Sequence, residues 1–477
     1  MSSIGAPFLQ GPILFVAHND VSSSQFGGIE VYLSKLALAL KGSVDVFVYV
    51  PNAQNQFQEA RLINANGEIV ESIIFESQFT NWQLKNDERE VAFESLFKSY
   101  QFSLVHFHHL SGHPVSLMNS TQKMGVPSIF SFHDFFSVCH IANLIGEKKR
   151  YCSSDALSLQ SCDRCLNTIY GLSAGSQMVR REYWRKVLNL NDALIFNTNI
   201  SYDIVSSIYP EIANSNKVHI LPVAIDDLYK NTEIVLQRDQ VYLPLKVAIL
   251  GNFCFHKGAD LIVEAIKELQ IDSIEFHVFG SIEERYEPLL RNFPNVKLYG
   301  AYNPQAIPIA AKECRVSLHL SIWPETYVLT LSEAWQSGLI PIVSDIGALG
   351  ERVSHGINGF KIPANSAVDL IKILRGLVAD PLQLQEICIP KLSDLPIAFM
   401  SEHIHQLLSI YQSTIVNHKY VSVQALNADE LMFNKRSNDL INTEWALFDN
   451  QIHPNSNSLF SAWKSFIGRI YSFFIKY

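Results

Sequence analysis

The sequence predicts an α/β protein with two doubly wound parallel-sheet (Rossmann-like) domains facing each other across a cleft. Three observations point there. Short apolar strand-like runs alternate with helical patterns, the alternation restarts midway, and the length of 477 residues exceeds one ordinary core.

In the first half, PILFVA (12–17) is a compact apolar run. It precedes Gly27, Gly28 and a segment whose apolar positions Val31, Leu36, Ala39 and Leu40 roughly follow helical spacing. VDVFVYV (44–50), LVHF (104–107), SIFSF (128–132), ALIF (193–196) and VHIL (218–221) are further β-rich runs. Continuous apolar strands separated by helices indicate a parallel sheet covered on both faces. The pattern begins again at LKVAIL (245–250), followed by a loop and the helix GADLIVEAIKEL. EFHVFG (275–280), VKLYG (296–300), VSLHLS (316–321) and LIPIVS (339–344) continue it. Periodicity is lost over 222–244, which places the join there. The expected domains are 1–225 and 240–400, then a helix over 400–420 returning towards the first, and an extension over 421–477.

Composition narrows the class. Apolar residues make up 48% and charged residues 17%, as in a well-packed enzyme rather than a disordered chain. A net charge of -9 argues against bulk nucleic-acid binding. The N-terminus lacks the basic start and apolar core of a secretory signal, and no run reaches the ~18 apolar residues of a membrane span. Seven cysteines in a chain of this length do not read as a disulfide framework. A reducing, cytoplasmic location is expected.

The most informative segment runs from Trp323 to Gly359. Glu325 and Glu333 lie eight positions apart, and a helix starts between them. Pro324 and Thr326 fit the approach to that helix, with the cap expected at Thr326 or Tyr327. Backbone N–H groups just beyond Glu325 would suit sugar hydroxyls or diphosphate oxygens. Glu333, more than a turn further in, suits two ribose hydroxyls. This stretch resembles the E-x7-E donor-site signature of glycosyltransferase family 4, whose members have the GT-B fold. Upstream, GNFCFHKGAD (251–260) resembles that family's G-R-x-x-x-x-K-G pattern. Lys257 is then the point charge for the donor diphosphate, beside Gly258. Asn252 stands where family members often carry Arg, so the phosphates are held less tightly or by another residue such as His256.

In the first domain, Gly27 and Gly28 resemble the family's glycine loop, with a plain strand-to-helix turn as the other reading. SIFSFHDFF (128–136) sets His133 and Asp134 just after a strand. The resemblance implies that His133 lies near the transferred sugar; otherwise it is a buried histidine bonded to a carbonyl. His106 and His108, alternating on one strand face, read as packing residues, and His109 as an acceptor contact.

The resemblance covers roughly residues 10–415 and is closest to bacterial surface-polysaccharide or O-antigen glycosyltransferases. It implies a retaining transfer from a UDP- or GDP-sugar to a saccharide or lipid-linked acceptor, with no cofactor needed for catalysis. His133 and Glu325 become the catalytic candidates; Gly27, Gly28, Lys257, Thr326, Tyr327 and Glu333 become the donor-binding ones. Two other readings stay open, a GT-B-fold nucleotide-sugar epimerase and a non-catalytic nucleotide-sugar-binding subunit.

Two features fall outside the signature. Cys139, Cys152, Cys162 and Cys165 form a C-x12-C-x9-C-x2-C arrangement, read as a structural zinc site or as incidental cysteines. A closed four-thiolate site would leave no open position for catalysis. Near the end, Phe460, Trp463, Phe466, Ile467, Ile470, Phe473 and Phe474 form one apolar helical stripe beside Lys464, Arg469 and Lys476. Such a helix over 459–477 either lies in a membrane interface, placing the enzyme on the inner face, or packs against protein.

Overall fold

The computed structural model describes residues 11–19, 27–153, 157–213, 215–227, 243–269, 273–302, 313–387 and 394–420. The chain separates into two compact units. The first takes residues up to Leu144, Cys152–Ile225 and the stretch from Ala398; the second takes Ile145–Tyr151 and Asp226–Ile397.

The first unit is built on an eight-stranded sheet in the order β4-β3-β2-β1-β5-β6-β7-β8. Its strands are β1 (Ile13–Val16), β2 (Val46–Pro51), β3 (Glu59–Asn64), β4 (Ile69–Ile74), β5 (Leu104–Phe107), β6 (Ser128–Phe132), β7 (Ala193–Phe196) and β8 (Val218–Ile220). Every residue of β1, β5, β6 and β7 is buried, which is why these runs read as continuously apolar. β5, β6 and β7 occupy the same residues as the runs read from sequence. The sheet is not wholly parallel, because β3 and β4 extend it as an antiparallel hairpin that the sequence reading passed over. Charged and polar residues interrupt both strands, and burial in β4 is light, so no apolar run announced them. The Asn66–Gly67 turn was the available signal: Gly67 has φ 83°, and Asn64 Oδ1 accepts from the amides of Asn66 and Glu68.

A two-residue strand β9 (Ala224–Ile225) pairs in parallel with β16 (Ala398–Phe399), which leads into the helix Met400–Asn417. This helix belongs to the first unit. Its fully buried Tyr411 and His106 Nδ1 share a hydrogen bond of 2.8 Å, and His403 Nε2 and the Tyr32 hydroxyl one of 2.6 Å.

The second unit is an all-parallel six-stranded sheet in the order β12-β11-β10-β13-β14-β15. These are β10 (Leu245–Leu250), β11 (Ile274–Phe279), β12 (Val296–Gly300), β13 (Val316–His319), β14 (Ile340–Ser344) and β15 (Phe360–Ile362). Strand order reverses between β10 and β13, and in the first unit between β1 and β5. Doubly wound sheets bind ligands outside the carboxyl ends of the strands at such reversals. In the second unit the two loops concerned are 251–258 and 320–328.

Gly258 brings those loops together. It has φ 82°, and a Cβ there would run into the carbonyl of Leu320. Gly258→Ala should therefore lower stability by about 2 kcal/mol or more, measured by denaturant unfolding. An unchanged unfolding midpoint would show that the loops can separate without cost.

Candidate active site

After β10 the chain makes a 3-10 turn, Phe255–Lys257, and Gly258 then starts the helix Ala259–Glu268. After β13 it runs through Ser321, Trp323 and Pro324 to Glu325. The amide of Ile322 donates to the carbonyl of His256 at 3.1 Å, tying the two loops together. Lys257 and Glu325 meet across this join: Lys257 Nζ donates to Glu325 Oε2 at 2.5 Å. Glu325 is 6% exposed, and its other oxygen accepts from the hydroxyl of Ser321. Among the predicted residues, the structure thus brings the lysine and the first glutamate of the signature into direct contact. Ser321 was not foreseen, since a serine after a strand carries no signal of its own.

Glu333 lies on the helix Leu329–Gln336, half-buried, with its Oε2 accepting from the Tyr302 hydroxyl at 2.9 Å. The start of this helix corrects one expectation. Neither Thr326 nor Tyr327 is the cap; Val328 holds that place in a left-handed conformation, φ 72° and ψ 85°, with no side-chain cap. The left-handed turn delays the helix, and both Thr326 and Tyr327 are buried before it.

Asn252, at the position of the missing arginine, accepts from the Ser281 hydroxyl at 2.6 Å. His256 does not replace that charge. Burial, helped by neighbouring Lys257, pushes its pKa down to about 4, so the ring is neutral near pH 7.

In the first unit the chemistry gathers after β1, β5 and β6. Gly27 caps the helix Gly28–Leu40, and its amide donates to Glu30 Oε2 at 2.6 Å, with His18 Nε2 3.0 Å from Glu30 Oε1. Burial works against ionisation of Glu30, yet the charge and hydrogen bond of His18 hold its carboxyl at about 2. Burial likewise opposes protonation of His18, and Glu30 overcomes it, raising the imidazole above its usual value. Neither residue was singled out from sequence, although Glu three places after a cap is the spacing of a capping box.

His133 follows β6, with its Nε2 3.0 Å from His108 Nδ1. Burial lowers it to about 4, against the opposing charge of Asp134, so it is a neutral ring. His109 Nε2 lies 3.0 Å from Asp134 Oδ2 and its Nδ1 accepts from the amide of Ser111, so the contact found for it is internal. His106 and His108 are buried, and His106 uses both nitrogens, on Tyr411 and Ser131.

Cys139, Cys152, Cys162 and Cys165 form no disulfide, and among the described residues no group of three His, Cys, Asp or Glu side chains is arranged to hold a metal ion. Burial pushes the Cys162 thiol up to about 11 despite Arg181, whose guanidinium lies 3.5 Å from the sulfur. Burial also raises Cys139, whose sulfur accepts from the amide of Ile141 at 3.5 Å. The apolar stripe over 459–477 lies outside the described residues. Among those described, no helix is long and apolar enough to cross a membrane.

Two doubly wound units, each with a strand reversal at its centre, define the class: a GT-B fold. The family comparisons make it specific. Residues 26–227 match the model for Glycosyltransferase Family 4, and residues 243–391 match that for Glycosyl transferases group 1. The chain is a glycosyltransferase carrying one domain of each.

Solved structures share this fold at low identity. Sucrose-phosphate synthase from Thermosynechococcus elongatus matches with a TM-score of 0.58 and 14% identity, covering 85% of this chain and 100% of that one. Anabaena HepE in complex with UDP and glucose gives 0.53 and 14%, covering 84% and 100%. A glycosyltransferase from Rickettsia africae gives 0.56 and 14%, covering 85% and 99%. Among curated proteins, an uncharacterized 41.2 kDa protein in the cps region of Klebsiella pneumoniae is 24% identical over 151 residues. That is 31% of this chain and 40% of the relative, so the chain spans less than half of it.

The His18–Glu30 pair has a predictable pH signature. Glu30 contributes stability above its unfolded value near 4.5, lost as pH falls through about 2. His18 contributes below its unfolded value near 6.5, lost as pH rises through its raised folded value. Their joint contribution is therefore greatest between the two unfolded values. Glu30→Gln should cost about 3 kcal/mol at pH 6 and less at pH 8, read from thermal unfolding. An equal loss at both pH values would mean that His18 is not charged beside Glu30.

Proposed function

We propose that the protein transfers a glycosyl unit, with retention of configuration, from a UDP- or GDP-sugar to a saccharide or lipid-linked acceptor in cell-surface polysaccharide synthesis. The observation that carries this reading is the Lys257–Glu325 contact at the β10/β13 reversal. A buried carboxylate held by one lysine and one serine is a preformed seat for a ligand with both an anionic and a hydroxylated part. The diphosphate draws Lys257 to its oxygens, and Glu325, released from the ammonium, accepts from a sugar hydroxyl. Glu333 orients the ribose, with Tyr302 fixing its carboxylate beforehand.

The chemical task is to stabilise an oxocarbenium-like sugar while a nucleoside diphosphate leaves. Lys257 supplies charge to the leaving group, as do the amides that start the helix Leu329–Gln336, which no side chain caps. The Gly27–Gly28 turn is assigned to the diphosphate as well. His133 is assigned to the transferred sugar or the acceptor; being neutral, it contacts hydroxyls without opposing a developing positive charge. The surface-polysaccharide context is supported by likeness to a protein from a cps region. HepE, a fold neighbour, is known with UDP and with UDP-glucose, which supports a uridine donor.

The test is a thermal-shift screen of nucleotide sugars followed by turnover with candidate acceptors. A true donor at about 100 times its Kd should stabilise the native state by about 2.7 kcal/mol. Lys257→Gln and Glu325→Gln should each lower kcat/KM by about a hundredfold or more. His133→Ala should reduce kcat with little change in the donor-induced shift. Isomerised sugar from donor alone, or donor binding with no turnover on any acceptor, would overturn the transfer reading.

A further inference from the structure

The short helix Gly347–Arg352, which follows β14, touches the stretch between Glu325 and Glu333 at both of its ends. At its start, Gly347 has φ 56°, and a Cβ there would run into Pro324 and come within 2.8 Å of Glu325 N. The amide of Ala348 donates to the carbonyl of Glu325 at 2.8 Å. At its end, Arg352 is 5% exposed and donates through Nη1 to the carbonyls of Tyr327 at 2.7 Å and Val328 at 2.9 Å. Its Nη2 donates to Ser332 Oγ at 2.6 Å and to the Pro396 carbonyl at 3.0 Å. The guanidinium lies 3.9 Å from the Tyr327 ring centroid and 5.3 Å from that of Trp335.

Val328 is the residue that needs holding. A β-branched side chain at φ 72° sits in the left-handed region that only glycine enters freely. Were Val328 to relax to negative φ, the helix bearing Glu333 would swing relative to Glu325. The carbonyls of Tyr327 and Val328 are both bonded to one nitrogen of Arg352, and that of Val328 also accepts from the amide of Leu331 at 3.2 Å.

We propose that Arg352 is a positioning residue for the donor site: by gripping the two carbonyls of the left-handed turn, it sets the separation of Glu325 and Glu333. This rests on reading those glutamates as donor ligands. The planar fork is essential to it, because one head group must reach two carbonyls, a hydroxyl and Pro396 while stacking on Tyr327. A lysine offers a point charge and cannot do all of this.

The experiment measures donor KM and kcat in the full-length protein carrying Arg352→Lys, Arg352→Gln, and Arg352→Gln combined with Val328→Gly. Arg352→Gln should raise donor KM at least about tenfold, through loss of charge-assisted hydrogen bonds to buried carbonyls. Arg352→Lys should fall between it and the parent. Val328→Gly should recover at least about fivefold of the loss, because glycine enters the left-handed region without the steric penalty that valine pays there. A purely packing role would instead lower the melting temperature of both Arg352 variants with donor KM unmoved, and glycine at 328 would rescue nothing. Either result overturns the proposal. If Arg352→Gln does not fold, Arg352→Lys with and without Val328→Gly gives the same comparison. A parent protein that binds no nucleotide sugar sinks the functional reading itself; a parent that binds while Arg352→Gln binds equally well sinks only the positioning role.

Discussion

The second unit is organised around a desolvated charge. Glu325 is almost wholly out of water, and an ionised carboxylate in such a place must be met by a cation and by hydrogen-bond donors. Lys257 and Ser321 meet it, and each depends on a backbone path that the sheet dictates. Parallel order sends β10 and β13 side by side, so that the loops following them leave the same end of the sheet. Gly258 then allows the lysine loop to lie against Leu320. Charge, glycine and strand order are one constraint seen at three levels.

The first unit solves a different problem. It concentrates histidines behind β1, β5 and β6, and burial keeps His106, His108, His113 and His133 uncharged. His18, beside Glu30, is raised instead of lowered. Neutral rings within a hydrogen-bonded network avoid the cost of a buried cation.

Much of this was legible in the residues. β5, β6, β7 and β10 coincide with apolar runs, since strands buried on both faces carry little polar alternation to blur their ends. Lys257 and Glu325 were found because a family signature links positions 68 residues apart that spacing alone would never connect. What escaped detection did so for physical reasons. β4 is an exposed edge strand, and β3 beside it is only partly buried, so charge is permitted in both and the pattern weakens. The left-handed Val328 contradicts every local preference for valine and is held by Arg352, which comes 24 residues later. The tight C-x2-C spacing on the helix Leu159–Tyr170 does not by itself fix where the sulfurs point.

The first unit is discontinuous: β16 and the helix Met400–Asn417 come from beyond Ile397, after the whole second unit. During synthesis, therefore, the amino-terminal sheet emerges first but cannot finish. Until the carboxyl-terminal helix leaves the ribosome, Tyr32 and His106 lack the His403 and Tyr411 side chains that complete their hydrogen bonds. The second unit is made in between, so these partners within the first unit can meet only after the intervening residues have been synthesised.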